Sequence, residues 1–198
     1  MATSASATCV ATSPEGVCGI GAAWYDVEDE AMGFAFPPVK ERMDRLEEAV
    51  QICRAMFDAD PTSFAGDHYR TSDVRNRPRP IQPRIPILIG GGGERRTLKL
   101  VARYADACNL SGDDETVRHK IDVLRKHCAT FGRDPAEISV TRLAAVFRTT
   151  SAEETRQTRE FVVAQAGEDY ANSFDQPHDI VTRGPSGRSA PAGRAPPR

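Results

Sequence analysis

Most of the signatures that would fix a function at once are missing from this chain. Its cysteines, Cys9, Cys18, Cys53, Cys108 and Cys128, are odd in number and none stands in a CxxC pair, so neither a disulfide framework nor a zinc site is expected. The histidines His68, His119, His127 and His178 show no HExxH spacing, and no metal site is expected from them either. No apolar run approaches the length of a membrane span, and the N-terminus lacks the basic and apolar regions of a signal peptide. The expectation is a cytoplasmic protein without a membrane partner. A net charge of -2 gives no basic excess to hold nucleic acid. Neither GxGxxG nor GxxxxGK[ST] occurs, which argues against a dinucleotide fold and a P-loop NTPase. At 198 residues the chain also falls short of a complete TIM barrel, which typically takes ~250.

What is present centres on Ile85 to Asp106, IPILIGGGGERRTLKLVARYAD. Ile85, Ile87, Leu88 and Ile89 make a short apolar run of the kind found in parallel strands buried on both faces. Gly90 to Gly93 follow, where the missing Cβ atoms let backbone approach a bound group. A helix is expected to open at Glu94. Unpaired N–H groups in its first turn, with the helix dipole, would favour an anion such as phosphate. Arg95 and Arg96 place positive charge at the positive end of that dipole, which is unfavourable by roughly 0.3 to 1 kcal/mol each. Either a bound phosphate offsets this, or Glu94 compensates and both arginines point into water.

Around this centre the chain alternates strand and helix. Residues 1–16 are small, polar and without period, and are expected to be disordered. Val17 to Ala23 reads as a short strand ending near Trp24 and Tyr25. The acidic stretch Asp26 to Glu30 reads as a solvated loop or helix start. Met43, Leu46, Ala49, Val50, Cys53 and Phe57 recur at helical spacing across an expected helix from Val39 to Phe57. A long proline-rich connection, 58–84, holds a candidate hairpin at Phe64 to Tyr69. Its Arg75, Arg77, Arg79 and Arg84 leave two readings open, guidance of an anionic ligand or a merely exposed basic loop. Ala107 to Leu110 is a further strand. Asp113 to Phe131 is a helix with Val117, Ile121, Leu124, Cys128 and Phe131 facing inward, closed by Gly132. Ile138 to Phe147 is a strand candidate. Ser151 to Glu154 is a capping box for a helix of roughly 153–166. The tail from residue 176, rich in Pro, Gly, Ala and Arg, is expected to be disordered. This alternation predicts an α/β fold with parallel strands and about four βα units.

Two blocks, GIGAAWYDVEDEAMGFAFPPVKERMDRLEEAVQICRAMF and PRIPILIGGGGERRTLKLVARYADACNL, resemble the luciferase-like monooxygenase superfamily, and most closely its probable coenzyme F420-dependent oxidoreductases. The resemblance spans Val17 to Arg148. It implies a partial (β/α)8 TIM barrel over residues 17–175, flanked by disordered segments 1–16 and 176–198. It also implies a deazaflavin or flavin at the C-terminal ends of the strands. Coenzyme F420 is the expected cofactor, with FMN as the alternative. Its phosphate is expected on Gly91, Gly92, Gly93 and Glu94, with the Thr97 hydroxyl one turn into the helix. Trp24 is expected near the ring or substrate pocket, or else as a core or loop anchor. The first three βα units and the last strand of a full member have no counterpart here, so no catalytic acid or base is assigned. The ends read like those of a truncated or frame-disrupted gene. The implied activity is hydride transfer between the deazaflavin and a small organic substrate. The alternatives are an FMN-dependent monooxygenase and a noncatalytic remnant. Because a partial barrel exposes strand edges, either a homo-oligomer or a complementary fragment is the expected protein partner.

Overall fold

The apolar run before the glycines forms the middle of a sheet. In the computed structural model, which describes residues 7–9, 16–143, 147–166, 180–183 and 189–191, ten strands and five α-helices follow one another. The strands are β1 (Ala7–Cys9), β2 (Cys18–Ile20), β3 (Thr62–Ala65), β4 (Arg70–Val74), β5 (Ile87–Gly90), β6 (Ala107–Leu110), β7 (Ser139–Arg142), β8 (Phe147–Thr149), β9 (Ile180–Arg183) and β10 (Ser189–Pro191). The helices are α1 (Asp26–Ala31), α2 (Val39–Asp58), α3 (Thr97–Tyr104), α4 (Asp114–Phe131) and α5 (Ala152–Ala166), with one 3-10 turn at Pro135–Glu137. Apart from β1, β9 and β10, the segments expected to be disordered lie almost wholly outside the described residues.

The chain divides into two compact units, Met1–Leu110 with Arg118–Thr141, and Ser111–Val117 with Arg142–Arg198. The first unit carries a sheet of order β1-β2-β5-β6-β7. Strands β2, β5 and β6 are parallel, with Ile20 opposite Ile89 and Gly90 opposite Asn109, as the alternation predicts. Ile85, Ile87 and Ile89 are fully buried, while Leu88 is only half-buried. One face of β5 is therefore packed and the other partly covered. Helix α2 buries Met43, Leu46 and Val50, and α3 buries Leu98, Val101 and Ala102. Leu124 and Cys128 do the same for α4. Phe131 departs from the expected inward face. It is the last residue of α4, where Gly132 takes a φ of +64°, and its ring is exposed, with the Arg103 guanidinium 6.0 Å from its centroid.

Polar anchoring completes this unit. Asp106, just before β6, accepts from the Ile87 amide (2.8 Å) and Arg84 (2.9 Å) and pairs with Arg54. Arg54 also donates to the Ile85 carbonyl (3.0 Å), so one carboxylate ties α2 to the start of β5. Strands β3 and β4 form the expected hairpin, longer than the segment 64–69 assigned to it. The Glu48 carboxylate on α2 accepts the turn's backbone amides, at 2.8 Å from Asp67 and 2.8 Å from Tyr69, with His68 between them at 3.1 Å.

The second unit holds a sheet of order β10-β9-β8, with β8 and β9 parallel. Helix α5 starts as the capping box predicts, its Glu154 amide donating to Ser151 Oγ at 3.1 Å. The Glu154 carboxylate also receives the amide of Thr150 at 2.6 Å and its hydroxyl at 2.7 Å. The single strand expected over Ile138 to Phe147 is divided between β7 and β8. Leu143, in the middle of that apolar run, is 68% exposed. Its hydrophobicity therefore does not mark a continuous buried face.

Candidate functional site

The C-terminal ends of the parallel strands β2 and β5 lie side by side. A Cβ placed on Gly21 would sit 3.8 Å from the Gly90 carbonyl, and one on Gly90 would sit 3.9 Å from the Ile20 carbonyl. The two loops therefore leave the sheet as close neighbours, at ordinary van der Waals separation. Gly91 turns with a φ of +107°, a region that L side chains enter only with strain.

The helix begins later than expected. Glu94 to Arg96 form a turn and α3 opens at Thr97, so Thr97 is its first residue rather than one turn in. That shift brings its hydroxyl under the loop. A Cβ on Gly93 would lie 3.0 Å from Thr97 Oγ1, and one on Gly91 would lie 3.5 Å from Thr97 Cγ2. Thr97 is buried, and no side chain caps the helix start. The residues expected to hold a phosphate, Gly91, Gly92, Gly93 and Thr97, thus surround one uncapped helix end. This cradle, open because Cβ atoms are missing and supplied with a buried hydroxyl donor, fits a phosphate group. Glu94 is differently employed. Its carboxylate pairs with His119 at 3.1 Å and its carbonyl contacts His127 Nε2 at 2.8 Å, both on α4.

The arginines at the helix start follow neither expected course in full. Arg95 is exposed. Arg96 donates to the Lys40 carbonyl at 3.0 Å and pairs with Asp44, both on α2. Hydrogen bonds from Arg96 and then Lys40 hold the Asp44 carboxyl below the ordinary carboxylate range. The charge of Arg96 is thus offset by the protein itself. The basic loop is also spoken for: Arg77 and Arg75 pair with Asp60 at 2.9 and 3.8 Å, Arg84 with Asp106, and Arg79 donates to the last carbonyls of α2. All four arginines remain exposed, as the reading of an exposed basic loop has it, and each is tied to the chain's own acceptors.

The residue that sequence reasoning missed is Lys120. A Cβ on Gly92 would meet its Nζ at 2.5 Å and its Cε at 3.2 Å, so the lysine stem lies across the open face of that glycine. A signal was available: in a βα repeat, polar residues in the early turns of the next helix can reach over the preceding loop. On the amphipathic reading of α4, Lys120 counted only as wet face.

Trp24 follows β2 and is 86% exposed, stacked obliquely on Tyr25 at 5.4 Å, so it is not a core residue. Its loop is held by Arg42, which donates to the carbonyls of Ala22 (3.2 Å) and Ala23 (2.7 Å) and lies 3.9 Å over the Phe36 ring. In the acidic stretch, α1 buries Asp29, whose Oδ1 has no partner among the described residues.

Comparison with known proteins finds relatives of the chain in sequence and fold. Residues 17–195 match the family profile described as luciferase-like monooxygenase. An F420-dependent glucose-6-phosphate dehydrogenase of Intrasporangium calvum is 41% identical over 95 residues, covering 48% of this chain and 26% of the relative. An FMNH(2)-dependent dimethylsulfone monooxygenase of Pseudomonas putida is 28% identical over 152 residues, covering 76% of this chain and 41% of the relative. Among solved structures, an F420-dependent secondary alcohol dehydrogenase in complex with an F420-acetone adduct superposes with a TM-score of 0.63 at 20% identity, over 78% of this chain and 47% of that one. The chain spans less than half the length of each of these relatives.

Proposed function

Because this chain belongs to the luciferase-like monooxygenase family, which includes both F420-dependent oxidoreductases and FMN-dependent monooxygenases, we propose that it binds coenzyme F420 by its phosphate and serves hydride transfer with a small organic substrate. The observation that carries this reading is the glycine cradle on the uncapped start of α3, with Thr97 buried beneath Gly91 and Gly93. The deazaflavin supplies the hydride chemistry when bound. The chain's own part is to hold and orient it. Gly91 to Gly93 admit the phosphate, Thr97 donates its hydroxyl, and His119 and His127 fix Glu94 so that the turn keeps its shape. Trp24, displayed at the end of the neighbouring strand β2, offers an aromatic face for the ring or substrate. No residue here is assigned as acid or base.

The FMN reading is supported by the Pseudomonas putida relative, which aligns over 76% of this chain. Fluorescence titration of F420 and FMN against the purified chain separates the two. The Gly92→Asp variant puts a carboxylate into the cradle and is expected to abolish binding of either. Wild-type affinity in that variant would sink the phosphate site. F420-dependent turnover by the chain alone would exclude the remnant reading.

A further inference from the structure

We infer that Lys120 is the counter-ion of the cofactor's phosphate, and that it sets the preference for a phosphorylated ring over the bare one. This rests on the cofactor reading above but concerns a residue that lies outside the glycine segment. The Lys120 side chain crosses Gly92, with Nζ 2.5 Å from where a β-carbon would stand, closer than such carbons come to any atom unless the lysine end moves, and Cε and Cδ tight against it at 3.2 and 3.3 Å. Its ammonium has no carboxylate within ion-pair distance among the described residues. The nearest candidate in the turn, Glu94, is occupied by His119. Helix α4 is held onto the turn by His119 and again by His127, eight positions further along, at 2.8 Å from the Glu94 carbonyl. The amine is therefore kept over the cradle by its helix and not by a partner of its own.

The ammonium of the half-buried Lys120 over an uncapped helix start gathers positive potential at one point. An anion seated on Gly92 would receive Lys120 from above and the Thr97 hydroxyl from below. Lysine suits a phosphate as a compact point charge, without the planar fork that would demand one orientation. No such role follows for Arg96, whose charge Asp44 already takes.

The test compares FMN with riboflavin, ligands that differ only in the phosphate, each titrated by fluorescence. The wild-type chain is expected to prefer the phosphorylated member about tenfold or more, as a charge-assisted contact allows, and to lose that preference as salt rises. Lys120→Met is expected to bring the two affinities together by weakening only the phosphorylated ligand. Lys120→Arg should restore part of the preference, and Lys126→Met, on the same helix and exposed, should leave it unchanged. Circular dichroism checks that the variants fold. Independently of any variant, limited acetylation of the wild-type Lys120 amine should be slowed by FMN and not by riboflavin. A wild-type preference that survives in Lys120→Met, or acetylation insensitive to FMN, overturns the role of Lys120 and leaves the cofactor reading standing. Failure to bind F420 and FMN at all overturns both.

Discussion

At the residue scale, Asp106 joins three partners, Arg54, Arg84 and the Ile87 amide. Burial would raise its carboxyl, but the Ile87 amide, Arg84 and Arg54 together hold it below the ordinary value of 3.8. A lowered folded-state value means stability that is complete above that ordinary value and is lost as pH falls through the lowered one. Asp106→Asn is expected to cost about 2 kcal/mol at neutral pH and to flatten the acid limb of the stability profile, both read by urea denaturation across pH. A variant as acid-sensitive as the parent would assign that limb to other carboxylates. Cys108 makes an opposite case. Burial, with Cys128 adding to it, pushes its thiol up to about 11. In native protein at about pH 8 it should therefore resist Ellman's reagent, while the partly exposed Cys53 reacts. Labelling of Cys108 at the rate of Cys53 would contradict this. Sequence periodicity marked Cys128 as core, but gave no hint of the Asp106 cluster. Three of its four groups lie in or beside the proline-rich stretch or on the wet face of a helix, where charge ordinarily means solvation.

At the element scale, the glycine loop separates backbone strain from space. Gly91, at a φ of +107°, should lose about 1–3 kcal/mol on substitution by alanine. In Gly92→Ala the new methyl group meets only the movable end of Lys120, so thermal stability should barely change while cofactor affinity falls. Equal loss of stability in the two variants would show that the loop is not built as described. The β3–β4 hairpin depends on Glu48 in a comparable way. Glu48→Ala leaves the amides of Asp67, His68 and Tyr69 without their acceptor, and their hydrogen exchange should accelerate well ahead of that of β5. The loop itself was legible from sequence, since a glycine run between a β-branched strand and an amphipathic helix has few alternatives. The helix start was not. Thr97 rather than Glu94 begins α3 because Arg96 is turned toward Asp44 and Lys40 on another helix. No local pattern encodes a partner more than fifty positions away.

At the scale of the whole molecule, single elements differ in burial: Ile87, Ile89, Cys108 and Leu110 of β5 and β6 are closed to solvent, whereas the described residues of α5 bury only Val162 and leave Phe161 63% exposed. Native-state exchange is expected to find its slowest amides in β5 and β6 and markedly faster ones in α5. Uniform protection across these elements would refute this. The order of strands and helices was readable because buried parallel strands and amphipathic helices have different periods. The break between β7 and β8 was hidden, because an exposed leucine reads the same as a buried one. One detail near the loop reaches beyond stability. The arginine at the positive end of α3 is held from another helix, by Asp44 and the Lys40 carbonyl of α2. The first turn of α3 and the glycine loop beside it therefore take their position from α2, and a change of charge at Asp44 is felt at the loop as well as at its own helix.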